Sequence, residues 1–220
     1  MNNFVYYALL LIVIFVFVPP VVRRVTYRRC MSDLERQDFD SFDRNIDSFM
    51  AKMSFSAFDR ESLRLSKYEA MSNLKKADEQ VQFMESMRLS KKQKATLGER
   101  GFYVYLSSGK IKKARRMLEL VEQFGTPQQA EPLQMSYSIL LKKESKYIST
   151  CMERYEKIWD GKSAMDAATA MRAGTMEYLL GLQYSYNKDS ENTKHWMGLA
   201  RNHLAGTPYE EDIDRVLAQA

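Results

Sequence analysis

The chain is poor in the residues that build most enzyme centres. Its 220 residues include only two cysteines, Cys30 and Cys151, and two histidines, His195 and His203. The cysteines are far apart, match no metal-ligand spacing and make no disulfide framework, a usage that suits a reducing compartment. The histidines stand eight residues apart in the sequence. On a helix that is about two turns, too far to share a metal. There is no phosphate-cradling glycine loop, no Gly-x-Ser-x-Gly, no paired-histidine helix and no Cys-x-x-Cys. The expectation is a protein that is not an enzyme, with no catalytic, cofactor-binding or metal-binding residues. Proline is scarce too: none occurs between Val21 and Thr126. That leaves room for long uninterrupted helices.

Excess charge is also scarce away from one place. The formal net charge is +5, and four positive charges belong to Arg23, Arg24, Arg28 and Arg29, so the remainder of the chain carries five minus four, or +1. Nucleic-acid binding needs basic residues gathered on a recognition face, and no nucleic-acid partner is expected. The run Lys110-Ile-Lys-Lys-Ala-Arg-Arg116 resembles a phosphate or lipid patch. Because Ile111 and Ala114 fall on core positions of a repeat, its charges read as the solvated face of one helix.

What is present begins with a long apolar run. Phe4–Val22 holds no charged side chain over 19 residues. As a helix it would reach roughly 28 Å, close to the hydrocarbon thickness of a bilayer. Pro19 and Pro20 close the run, and Tyr6 and Tyr7 suit the opposite interface. A cleaved signal peptide wants a basic start and small residues at the cleavage site. Met1-Asn2-Asn3 has no basic side chain, and Val18–Val22 has no small-x-small site, so an uncleaved anchor is expected. The four arginines all follow the run, and basic flanks stay in the cytoplasm. The alternative is an N-terminal anchor that exports its domain. The expected organisation is a transmembrane anchor at 4–22, a basic juxtamembrane flank at 23–31 and one helical domain at 32–220. Cys30 in the flank reads as a free thiol in preference to an acylation site.

The body repeats itself. Four segments share an apolar pattern: Phe39-Phe42-Ile46-Phe49, Leu74-Ala77-Val81-Met84, Ile111-Ala114-Leu118-Val121 and Ile148-Cys151-Tyr155-Ile158. Their second members are spaced 35, 37 and 37 residues apart, and Thr193-Met197-Ala200 makes a weaker fifth copy. A preceding helix repeats as well, at Leu65 and Tyr68, Phe102 and Tyr105, and Ile139 with Leu141. A period of this length built from two helices predicts stacked helical hairpins. Met84, Met117 and Met197 fall on or near core-facing positions. Tyr209–Ala220, with Glu210, Glu211 and Asp212 in its first turn and Ile213, Val216 and Leu217 on one face, predicts a capping helix. The fold class expected is all-α: a single transmembrane helix, an α-solenoid of hairpins and a C-terminal cap.

In these features the body resembles the tetratricopeptide-repeat family. The best repeat is Leu97–Pro127, with Tyr105-x-x-x-Gly109-x-Ile111-x-x-Ala114 and a closing Pro127; Asp38-Phe39-x-x-Phe42 is a second fragment. The resemblance implies a concave face lined by the first helix of each hairpin. Outward positions there are Ser66 and Glu69, Glu99 and Tyr103, Ser136 and Leu140, then Tyr178 and Tyr186, an aromatic and mildly acidic face. Family members that clamp a terminal carboxylate place Lys and Asn on this face. Ser62, Ser66, Glu99 and Tyr103 stand there in this chain, which argues for another ligand. Tyr103, Leu140 and Tyr178, with Glu99 at the edge, are the expected partner-binding strip. The function expected is a membrane-tethered, single-pass scaffold that binds a protein or peptide at the cytoplasmic side, with no small-molecule substrate. The alternative is an assembly or quality-control subunit with its domain on the outer side.

Overall fold

Helices form where the apolar positions recur every three or four residues, and one short device repeatedly turns one helix into the next. A computed structural model describes residues 20–160 and 162–220. Among the described residues every regular element is helical and there is no strand. The expected anchor falls outside the described residues over 4–19. Among the described residues no helix is long and apolar enough to cross a membrane.

The chain divides into two compact units, with the boundary between Thr126 and Pro127. The break falls at the sequence breaker Gly125-Thr126-Pro127. The first unit holds α1 (described over 20–35), α2 (Phe39–Asp47), α3 (Phe49–Ser54), α4 (Ala57–Ala70), α5 (Leu74–Ser86), α6 (Lys91–Ser107) and α7 (Ile111–Phe124). The second holds α8 (Pro127–Ser136), a π-helical turn at Tyr137–Leu141, then α9 (Ile148–Ile158), α10 (Ala167–Tyr186), α11 (Ser190–His203) and α12 (Glu210–Gln219).

The turning device occurs four times. Gln37, Ser72, Gly109 and Lys188 each take a left-handed backbone, with φ of 58°, 51°, 64° and 58°. The next residue caps the following helix: Asp38, Asn73, Lys110 and Asp189. Each cap residue returns its N–H to a carbonyl five residues back, at Asp33, Tyr68, Tyr105 and Tyr184, over 2.9 to 3.0 Å. This satisfies carbonyls that a helix end would otherwise leave unpaired. Only one of the four left-handed positions is glycine. Ser72, Gln37 and Lys188 accept that conformation at a cost of about 1 kcal/mol or more each.

Four residues past each cap lies the small or compact position of the sequence repeat. Phe42, Ala77, Ala114 and Thr193 are buried there, and Cys151 is buried at the same distance from Tyr147. The repeat is thus a repeated hairpin turn with a fixed packing register. The outer members behave differently. Leu74 and Ile111, the first residues of their helices, are over 40% exposed, so Ile111 is not the core position expected of it. Phe49 is exposed as well. Ser48 breaks the helix before it, donating to the Asn45 carbonyl and accepting from the Ala51 N–H.

Close packing in the strongest hairpins relies on glycine. A Cβ at Gly98 of α6 would lie 2.7 Å from the Met117 carbonyl oxygen, and one at Gly174 of α10 would lie 2.8 Å from Leu204 Cγ.

The basic flank expected at 23–31 is part of α1; its arginines are exposed and one face of it packs into the core. Thr26, Cys30 and Leu34 are buried on one face, and Cys30 and Leu34 pack with Phe42, Ile46, Phe55 and Leu63. Burial, reinforced by Asp33, pushes the Cys30 thiol up to about 11. In the second unit Ile139, Leu180, Met197, Leu204 and Ile213 centre the core, with Cys151 fully buried among them.

Candidate functional site

Helix α8 carries Pro132 in its interior and passes into the π turn at Tyr137–Leu141. Such widened turns recur at functional positions because they re-aim side chains. Here the turn brings Leu140 to a cavity of about 780 Å³ in the second unit, shared with Tyr178 and Tyr186 of α10 and with Arg215 of α12. Two residues expected on one strip, Leu140 and Tyr178, therefore meet.

Their exposure differs from expectation. Leu140 is half-buried, and Tyr178 is only 6% exposed, not outward-facing. The terminal helix explains this. The Tyr178 hydroxyl donates to Asp212 Oδ2 at 2.5 Å, and its ring lies 5.1 Å from that of Tyr209. Burial pushes Tyr178 up to about 12. The Tyr186 hydroxyl donates to the Ile139 carbonyl at 3.0 Å, which fixes the ring beside the π turn. The cavity is not acidic. Lys143, Lys188 and Arg215 line it against Asp212, which is ion-paired to Arg215. Lys143 and Lys188 both hold left-handed backbones, with φ of 56° and 58°.

The other two predicted residues lie in the first unit. Tyr103 of α6 is 47% exposed, its ring set edge-on to Phe102 at 5.6 Å. Glu99, one turn earlier, is half-buried. Neighbouring Arg100 takes up the face where Ser62 and Ser66 were expected to be open. It donates to the Ser62 carbonyl at 2.6 Å, to Ser66 Oγ at 3.0 Å and to Glu69 at 2.5 Å.

The basic run on α7 is matched by acids within its own unit. Lys110 and Lys113 reach Asp78 at 2.8 and 2.6 Å, and Tyr105 and Gln82 donate to the same carboxylate. Arg115 pairs with Glu119 and Glu122, and Arg116 with Glu85. Although desolvation opposes it, these donors together hold the Asp78 carboxyl far below the usual carboxylate range. Only Lys112 of the run has no acidic partner among the described residues. The run is a structural ion network with little charge left for phosphate.

Reading the sequence missed one polar site altogether. Glu177 of α10 is fully buried, with Oε2 2.8 Å from His203 Nδ1 and Oε1 without a partner. Tyr155 nearby is pushed up to about 12, by burial first and then by the charge of Glu177. The signal was there: Glu177 is the only charged residue between Arg172 and Lys188. Among the described residues no group of three or more His, Cys, Asp or Glu is placed to hold a metal.

No family model, curated protein or solved structure matches this chain.

Proposed function

We propose that the chain is a non-catalytic adaptor, tethered to a membrane by a helix over Phe4–Val22, whose tetratricopeptide-like hairpins bind a protein or peptide partner at the cytoplasmic side. One observation supports the binding part most. The second unit holds a cavity of about 780 Å³ walled by Leu140 and aromatic residues of α10, with lysines at Lys143 and Lys188. Aliphatic and aromatic walls edged by a few charges are what a short peptide segment needs for anchoring. Tyr103, with Glu99 beside it, is the corresponding contact proposed in the first unit. The tether is supported by the uncharged run and by the arginines that follow it.

Affinity capture on the full-length chain from detergent extract, compared with Leu140→Asp, tests the adaptor. A partner retained by the wild type and lost by Leu140→Asp supports it; equal capture by both overturns the assignment of the cavity. For the tether, an exposed cysteine introduced in the second unit and a membrane-impermeant reagent in intact cells decide the side. Efficient labelling would overturn the cytoplasmic placement.

A further inference from the structure

A second cleft, in the first unit, opens against the face of α1 that bears Pro20, Arg23, Arg24 and Tyr27, and has a volume of about 500 Å³. Its floor is apolar, built from Met31, Phe55 and Leu63, and Arg100 reaches it from α6. The charges around it are unequal. Arg23 is tied to Asp59 at 3.1 Å and lies 5.6 Å above the Phe55 ring. Arg100 is tied to Glu69. Arg24 has no acidic partner among the described residues.

We propose that this cleft binds the phosphate of an anionic phospholipid headgroup, with Arg24 as its principal donor. Each guanidinium but one is balanced by a carboxylate, so the site has room for a single negative charge. A phosphodiester carries one. The apolar floor beneath the arginines suits the glycerol and first methylenes of a lipid. Pro20, on the rim, belongs to the closing end of the apolar run, so in the tethered arrangement the cleft faces the headgroup layer. The ligand assignment rests on that tether. Its chemistry, one monoanionic phosphate, would be the same for free phosphate.

The test uses the full-length chain in micelles of an uncharged detergent, with native mass spectrometry as readout. Short-chain phosphatidylglycerol, phosphatidylcholine and inorganic phosphate are the probes. One phosphatidylglycerol per chain is expected, bound in preference to phosphatidylcholine. Arg24→Gln should weaken it roughly tenfold, the scale of one charge-assisted hydrogen bond. Arg28→Gln removes the same charge from an exposed position of α1 outside the cleft and should leave binding unchanged. Displacement by millimolar inorganic phosphate would keep the phosphate site and reassign its source. Equal losses in Arg24→Gln and Arg28→Gln, or no bound anion in the wild type, would overturn the proposal. Recovery of the chain in the soluble fraction of cells without detergent would overturn the tether and with it the lipid as the source of the phosphate, while binding in micelles reads the phosphate site independently.

Discussion

His203 Nδ1 lies 2.8 Å from Glu177 Oε2, joining the end of α11 to the middle of α10 through a carboxylate with no exposure. The Tyr155 hydroxyl lies beside the same carboxylate, so the polar balance of Glu177 rests on His203 and Tyr155.

Removing the imidazole leaves a buried carboxylate with only the Tyr155 hydroxyl beside it. His203→Ala should therefore destabilise the second unit by roughly 3–5 kcal/mol, whereas replacing both partners with leucine should recover most of that loss. Trp159 and Trp196 are the chain's two tryptophans and both lie in the second unit, so tryptophan fluorescence during urea unfolding reads this unit specifically. A His203→Ala midpoint equal to the wild type would contradict the prediction.

The Asp78 network makes the first unit sensitive to acid. The Asp78 carboxyl is held below its ordinary value in the folded chain, so its contribution is full above the unfolded value, near pH 4, and is lost as pH falls through the folded value. Asp78→Asn should flatten that acid-side loss and cost roughly 2–3 kcal/mol at neutral pH, the scale of hydrogen bonds to a charged group. Far-UV circular dichroism across pH checks it, and tryptophan fluorescence should stay unchanged.

Ala114 and Ile111 sit one turn apart on α7 and should respond in opposite ways. Ala114 is fully buried, and Ala114→Phe should overpack the hairpin at roughly 1–3 kcal/mol. Ile111 is 43% exposed, and Ile111→Lys should stay within about 0.5 kcal/mol of the wild type. Comparable losses in the two variants would refute the register.

Tyr103 and Tyr178 also separate. Once a partner is captured, Tyr103→Ala should weaken binding by roughly 1–3 kcal/mol and leave the fold intact, as an exposed anchor does. Tyr178→Ala should instead loosen α12 and shift the tryptophan-reported unfolding midpoint downward, because its ring and hydroxyl hold Tyr209 and Asp212. Normal partner binding by Tyr103→Ala would remove it as a contact.

The hairpin register was legible because it is local. Asp38, Asn73 and Asp189 are capping residues, and the buried position follows each by a fixed count. What was not legible depends on distant chain returning. Tyr178 carries the same outward pattern as Tyr103, but α12, 34 residues on, folds over it. Glu177 and His203 are 26 residues apart and become partners only when α10 and α11 pair. The arginines after the apolar run look like a solvated flank because charge dominates the composition there. Thr26, Cys30 and Leu34, spaced by four, were the quieter signal that one side of that helix is interior.

The two cysteines have one more consequence. Cys30 is fully buried in the first unit and Cys151 fully buried in the second, each with its thiol pushed upward by burial. Neither sulfur meets solvent until its own unit opens. The rate at which each thiol reacts with a small disulfide reagent is then a native clock for local opening, one per unit, readable by peptide mapping without any engineered probe. The same mutation can be timed at both positions, and a change that quickens one sulfur while leaving the other unaltered is assigned to its unit directly.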